Sequence, residues 1–237
     1  MDPNQKIETN PYSLGRVLLV DKPLGWTSFQ VVNKLRWLIR QQYKIKNVKV
    51  GHAGTLDPLA SGLLIICTGK ETKNINTYQA QHKEYTGTIT LGATTPSYDL
   101  ETAVDACFPT GQLTEKVLQE TTKQFIGDIA QKPPIYSAIK KDGKRLYELA
   151  RAGETTEIAA RTITVTTFEL NKIALPDIHF TIACSKGTYI RSMAHDYGIA
   201  LNNGGHLSAL RRTKIGDYHV DNALSMEAAE QQIVRGS

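Results

Sequence analysis

One segment constrains this chain more than any other: Gly51-His52-Ala53-Gly54-Thr55-Leu56-Asp57-Pro58-Leu59-Ala60-Ser61-Gly62. Three glycines, small residues and a proline make a backbone that can approach a ligand closely. The apolar run Leu63–Cys67 (LLIIC) follows at once and reads as a buried strand. A single carboxylate, Asp57, sits in the middle of the segment between apolar neighbours, and an Asp before a Pro is held extended. Loop aspartates commonly cap backbone amides. At such a place the same group can also serve as nucleophile, general base or electrostatic stabiliser.

Around this loop the pattern predicts both element types. Arg16–Val20 reads as a strand closed by Asp21-Lys22-Pro23. Thr27 or Ser28 can cap a helix to about Gln42, with Val31, Leu35, Leu38 and Ile39 on one face and Trp37 off it. Further strands are expected at 48–50, 85–91, 161–173, 177–184 and 207–219. Further helices are expected from Thr114 to Phe125, from Lys144 to Ala152 and from Gly187 to about Leu201; residues 93–110 read as loop. Helices and strands mix without a βαβ rhythm, which argues for an α+β fold around a largely antiparallel or mixed sheet.

The 237 residues suit a single large domain, and a chain this long buries roughly 70% of its unfolded surface. Its 41% hydrophobic and 22% charged residues are ordinary for a soluble protein. It contains no apolar run near the ~20 residues of a membrane span, and MDPNQKIETNPYS lacks the apolar core of a secretory signal. Cys67, Cys107 and Cys184 form no C-x-x-C pair, which speaks against a zinc site and for a reducing cytoplasm. Net charge is +5, and its distribution matters more than its size. From Lys22 to Leu56 the chain has seven basic residues (Lys22, Lys34, Arg36, Arg40, Lys44, Lys46, Lys49) and no Asp or Glu. Such a block suits a polyanion or is a solvated helix face.

Two more stretches carry chemistry. In CSKGTYIRSM a strand meets a helix near Gly187, and Arg191 falls in the first helical turn. A cation there gains nothing from the helix dipole, so the position needs another reason; a carboxylate partner, Asp57, supplies one. In KEY, Tyr85 opens a strand on which an aromatic face can stack on a base or simply fill the core. The run QKPPIYSAIKKDGKRLYELAR interleaves Tyr136 and Tyr147 with Lys140, Lys141, Lys144 and Arg145, a pattern that suits RNA, and Arg211-Arg212 adds charge.

Taken in order, LLVDKPLGWTS, VGHAGTLDPLASGLLIICTGKETK, KEYTGTITLGATTPSYDLE, PPIYSAIKKDGKRLYELARAG, CSKGTYIRSMAHDYG and GGHLSALRRTKIGDY resemble the TruB family of tRNA pseudouridine-55 synthases over about residues 14–219. The resemblance implies the pseudouridine-synthase fold, a central mixed, mostly antiparallel sheet flanked by helices and loops. It implies an isomerase that breaks the N1–C1′ bond of one uridine in the tRNA T-loop, turns the uracil and joins C5 to C1′, with no cofactor and no metal. By position Asp57 resembles the essential aspartate, Tyr85 the tyrosine that stacks on the flipped base, and Arg191 the arginine that pairs with the aspartate. Tyr189 and Leu210 resemble pocket-lining residues, His52 the histidine that helps hold the opened T-loop, and Lys22 a basic residue of the first motif. The expected organisation is a lead-in (1–12), a catalytic domain (13–220) with an RNA-binding insertion at 131–156 carrying Lys140, Lys141 and Lys144, and a short tail (221–237) without a PUA-type domain. A cytoplasmic monomer acting on the T-arm stem-loop, with no protein partner and no membrane, is expected.

Rival readings are weaker. A non-catalytic RNA-binding protein or tRNA-folding chaperone of the same fold has no need of Asp57 and Arg191, and both are present. A guide-RNA-dependent relative is expected to carry a further C-terminal domain. A tRNA base-exchange enzyme is expected to carry a cysteine-rich zinc site.

Overall fold

The computed structural model describes residues 10–137, 140–141, 144–146, 148 and 158–235, with backbone alone for 140–141 and 144–145. The first described element is α1 (Pro11–Leu14), where the Asn10 side chain accepts from the Tyr12 amide at 2.9 Å. Strand β1 (Val17–Lys22) follows. Helix α2 (Ser28–Tyr43) starts at a reciprocal capping box between Thr27 and Gln30 and stops where Lys44 turns left-handed at φ 51°. It buries Val31, Val32, Leu35, Leu38 and Ile39 and leaves Trp37 exposed, as its stripe predicts. Next come β2 (Val50–His52) and β3 (Ala60–Thr68), so the glycine-rich loop is shorter than the sequence suggests because both its ends join the sheet. A 3₁₀ turn (Gly69–Asn74) and α3 (Ile75–Ala80) lead into β4 (Lys83–Leu91).

The expected loop 93–110 holds a short ladder, β5 (Ala93–Thr94) with β6 (Ala106–Cys107). Thr114 caps α4 (Glu115–Thr122), a 3₁₀ turn ends at Phe125, and β7 (Gly127–Gln131) follows. The helix expected from Lys144 starts later: β8 (Lys140–Lys141) pairs with β9 (Lys144–Arg145), and Leu146 and Glu148 are helical. Residues 149–157 of that stretch lie outside the described residues. The chain continues through β10 (Arg161–Ala174), β11 (Asp177–Cys184), α5 (Ile190–Ala200), β12 (Gly205–Ile215), β13 (Tyr218–His219) and α6 (Met226–Arg235).

These elements form two compact units, Met1–Tyr85 with Arg211–Ser237, and Thr86–Leu210. In the first, β3 pairs antiparallel with β1, from Val17 opposite Cys67 to Lys22 opposite Gly62, and with β2, from Val50 opposite Thr68 to His52 opposite Ile66. The end of β12 lies beside β3 and carries β13. Successive β3 side chains enter different cores. Leu64 and Ile66 pack with Val31, Leu35 and Ile39 of α2 and with Met226 and Ile233 of α6. Leu63, Ile65 and Cys67 pack with Ala53, Ile215 and Val220. A strand covered on both faces needs an unbroken apolar run, which is why LLIIC does not alternate.

In the second unit the strand order is β12-β4-β11-β10-β7. The β10–β11 hairpin and the β10–β7 pair are antiparallel. Phe125, Phe168, Phe180 and Tyr197 meet edge-on or tilted beneath them, and the Tyr197 hydroxyl donates to Leu118 O at 2.7 Å. Isolated parallel bridges, Val20–Leu224 and Asp99–Leu207, add to these ladders. The architecture is α+β with a mixed, mostly antiparallel sheet. Cys67 and Cys184 are buried and Cys107 is exposed. Among the described residues, no helix is long and apolar enough to cross a membrane.

Thr27 fixes where α2 begins, and Ser28 is the residue that meets the glycine-rich loop. Loss of an N-cap oxygen costs ~1 kcal/mol. Thr27→Ala is therefore expected to lower the unfolding free energy by about that amount in a urea titration, with the m-value unchanged.

Candidate active site

The loop carrying Asp57 is fixed carbonyl by carbonyl. Ala53 N donates to Ile65 O at 2.9 Å and sets the loop against β3. Arg212 Nη2 and Nη1 donate to Gly54 O at 3.1 Å and Thr55 O at 3.5 Å. The Ser28 hydroxyl donates to Leu56 O at 3.1 Å and accepts from Leu56 N at 2.8 Å. Ala60 N donates to Asp57 O at 3.1 Å, and Gly25 N to Pro58 O at 2.8 Å. Five successive carbonyls thus have donors, which a loop pressed against a core requires.

Arg212 is 1% exposed, and its Nε donates to Leu63 O at 2.8 Å, so the guanidinium spans from β3 to the loop. The approach is close enough to dictate a glycine. Gly62 has φ +106°, and a Cβ there would lie 2.3 Å from Arg212 O.

Asp57 is half-buried. Lys22, read from sequence as an RNA-facing cation, is fully buried, and its Nζ donates to Pro23 O at 3.0 Å and Trp26 O at 2.6 Å. This corrects the surface reading: an ammonium enclosed by two carbonyls is not placed to meet phosphate. Burial lowers its pKa to about 8, against the pull of the Asp57 carboxylate, while Arg212 lowers it further and Asp21 opposes. At pH 7 Lys22 is mostly charged and contributes positive potential to the Asp57 loop. His52, half-buried on β2, is held below its ordinary pKa by burial first and by Arg212 second, against a backbone hydrogen bond to Gly54. It is neutral at pH 7. Tyr85 is 8% exposed on β4. Arg211, the other half of the arginine pair, stays at the surface in a two-pronged bridge to Asp21 (2.7 and 3.0 Å).

In the second unit Arg191 stands in the first turn of α5, 4% exposed. Its Nε lies 3.6 Å from Asp99 Oδ2, and its Nη1 donates to Ser97 O at 3.3 Å. Within its own unit Asp99, from the expected loop 93–110, supplies a carboxylate to this cation. Between Ser97 and Asp99, Tyr98 is left-handed at φ 63°, a costly conformation for an aromatic residue. Its ring stacks on His195, centroids 3.8 Å apart and 11° from parallel. His195 lies one helical turn beyond Arg191, so Ser97, Tyr98 and Asp99 bracket that face of α5. Burial raises the neighbouring Asp196 pKa to about 6 and lowers that of His195.

Tyr189 is the N-cap of α5. The side chain of buried Gln131 on β7 accepts from its amide at 2.8 Å and donates to its carbonyl at 3.1 Å, while the Arg161 guanidinium lies 4.9 Å above its ring. Leu210 is half-buried on β12. Lys140, Lys141 and Lys144 sit in the β8–β9 hairpin by backbone, and their side chains lie outside the described residues. Asp57, His52, Lys22 and Tyr85 therefore belong to the first unit, and Arg191, Tyr189 and Leu210 to the second.

Sequence reasoning missed Arg212, Ser28 and Asp99. A doubled arginine reads as surface charge, which fits Arg211 alone. Ser28 was visible as a helix start and not as a loop clamp. Asp99 lies near Glu101 in a turn-like stretch, which hides a buried acid.

Residues 40–190 match the model of the TruB family pseudouridylate synthase N-terminal domain. Residues 191–236 match that of the tRNA pseudouridylate synthase B C-terminal domain, which reaches across the expected short tail. The tRNA pseudouridine synthase B of Flavobacterium johnsoniae is 60% identical over 94% of this chain and 97% of its own length. That of Phocaeicola vulgatus is 53% identical over 90% and 91%. Among solved structures, a Cbf5-Nop10-Gar1 complex has a chain 27% identical with TM-score 0.70, matching 99% of this chain and 62% of that one. An H/ACA ribonucleoprotein bound to a substrate RNA containing 2′-deoxyuridine has one 27% identical with TM-score 0.66, matching 95% and 55%. This chain thus spans little more than half the length of those larger chains.

The burial of Lys22 has a pH signature. It loses its proton near pH 8 when folded and near 10.5 when unfolded. Between these values the unfolded chain binds more protons, so this group's contribution makes stability rise with pH. The stability of the native chain relative to Lys22→Met should therefore increase as pH rises from 8 toward 10.5. Melting both proteins across this range checks it, and a pH-independent difference would contradict the assignment.

Proposed function

Because this chain belongs to the TruB family of pseudouridylate synthases and is an isomerase that converts uridine to pseudouridine in tRNA, we propose that its target is uridine 55 of the T-loop and that Asp57 is the group its chemistry depends on. The observation that carries this reading is the locked loop: five consecutive carbonyls from Gly54 to Pro58 are hydrogen-bonded, so the carboxylate is presented without reorganisation.

The net reaction conserves atoms and electrons. The N1–C1′ bond breaks, the C5–C1′ bond forms, C5 gives up a proton and N1 gains one. Attack of the carboxylate on C1′, elimination through a glycal and addition at C6 all start from an ionised carboxylate. Lys22 supports that form, since the attraction that raises its own proton affinity acts equally on Asp57. In this reading the target base leaves its stack, at a cost of a few kcal/mol. Tyr85 stacks on it, Tyr189 and Leu210 line its pocket, and His52 holds the opened loop as a neutral donor or acceptor. Arg191 orients and balances Asp57 while Asp99 and Ser97 fix Arg191 itself. Lys140, Lys141 and Lys144 grip the T-arm backbone, and the enzyme works as a monomer.

Asp57→Asn keeps the size and removes the charge. Tritium release from 5-tritiated uridine in unmodified tRNA should vanish, with tRNA affinity and melting temperature close to those of the native chain. Multiple turnovers by this variant would remove the assignment. Arg191→Lys keeps charge but loses the planar fork. It should lower kcat by about tenfold or more, equivalent to ~1.4 kcal/mol, and change tRNA affinity far less. Equal losses in kcat and affinity would make Arg191 an RNA contact instead.

A further inference from the structure

The acid-free block from Lys22 to Leu56 does not act as one surface. Lys22 is buried, Lys34 pairs with Glu230 at 3.4 Å, and Arg36 donates to Asn33 Oδ1 and Val50 O at 2.9 and 2.8 Å. The other four cations, Arg40, Lys44, Lys46 and Lys49, are exposed in and beyond the last turn of α2. The register of β3 shows where they lie. Val50 stands opposite Thr68, the last residue of β3, whereas the Asp57 loop closes onto Ala60, the first. Eight strand steps separate those ends by roughly 26 Å at ~3.3 Å per residue. Gly69 N donates to Lys49 O at 2.8 Å, which ties the turn after β3 to the same end. That turn adds exposed Lys70 and Lys73.

Six exposed cations therefore gather at the end of the first unit remote from Asp57. In residues 40–50 and 69–74 the single acid is Glu71, whose carboxylate already accepts from Asn74 and Tyr78 at 3.0 and 2.7 Å. The end is also firmly built: the Tyr12 ring meets the Tyr43 ring edge-on at 5.7 Å, joining α1 to the last turn of α2. Cations held this close repel one another unless a polyanion lies across them. Lysine predominates over arginine and aromatic residues here, which favours phosphate contacts over base contacts.

We propose that this end of the first unit is a second RNA surface, which takes the phosphate backbone of tRNA outside the loop that enters the catalytic site. The proposal rests on the tRNA reading and assigns to the enzyme a grip on the body of its substrate about 26 Å from the chemistry. Each phosphate contact contributes about −0.9 to the slope of log affinity against log salt on a duplex.

The test compares the native chain with the fourfold variant Lys44→Gln, Lys46→Gln, Lys49→Gln, Lys70→Gln on two probes. One is whole unmodified tRNA; the other is a hairpin cut down to the T-loop and its closing base pairs. On whole tRNA the variant should bind about tenfold more weakly or worse, with a salt slope shallower by up to about 3.6, and kcat should hold. On the short hairpin native and variant should behave alike. The fourfold Lys→Arg version should restore both affinity and slope on whole tRNA. An unchanged slope on whole tRNA, or equal losses on both probes, would overturn the proposal. Binding is read apart from turnover, so a native chain that binds tRNA through this surface yet forms no pseudouridine would count against the proposed activity and leave the surface standing.

Discussion

Arg212 and Ser28 hold the backbone on which the rest of the site depends. A loop of glycines and small residues has little side-chain packing to order it, and each of its carbonyls must find a donor once water is displaced. A buried guanidinium serves this need well, because its fixed fork offers several donors and its charge strengthens each bond. Arg212 spreads these over Leu63, Gly54 and Thr55, and Ser28 closes both backbone groups of Leu56. The arrangement sets further requirements. Gly62 must lack a side chain, and burial first, then the positive charge of Arg212, depresses both Lys22 and His52. The carboxylate of Asp57 sits in front of that charge.

The second unit uses the same residue type differently. Arg191 meets the Asp99 carboxylate and the Ser97 carbonyl, and the segment supplying both is kept in place by a strained Tyr98 stacked on the helix that carries the arginine. Strain at a single residue is tolerable when neighbours on either side are both bonded. One arginine shapes backbone, and the other is itself positioned by backbone.

Long, covered elements were legible in the sequence. The Thr27 cap and the stripe from Val31 to Ile39 mark α2, LLIIC marks β3, and Asp177–Cys184 alternates along its whole length. Strand β7 was not legible, because GDIAQ has little β-branched character and is held by the ladder to β10. The β5–β6 pair hides in a loop for the same reason. Motif residues were legible as unusual positions: Asp57 as a lone loop carboxylate, Arg191 as a cation that a helix start disfavours. Their supports were not, because Arg212 and Asp99 are charged residues whose burial depends on partners distant in the chain. Lys22 shows the converse error, in which a run of positive charge conceals one member that points inward.

The partners that set the Asp57 loop are made at very different times. Arg212 and Gly54 are 158 residues apart, and all of the second unit lies between them. At ~5–20 residues per second a ribosome takes roughly 8–30 s to add that interval. Through that time the nascent chain already contains Asp57 but lacks the guanidinium that fixes its loop. The fixed form of this loop is therefore acquired late in synthesis, once the whole second unit and Arg212 have been added.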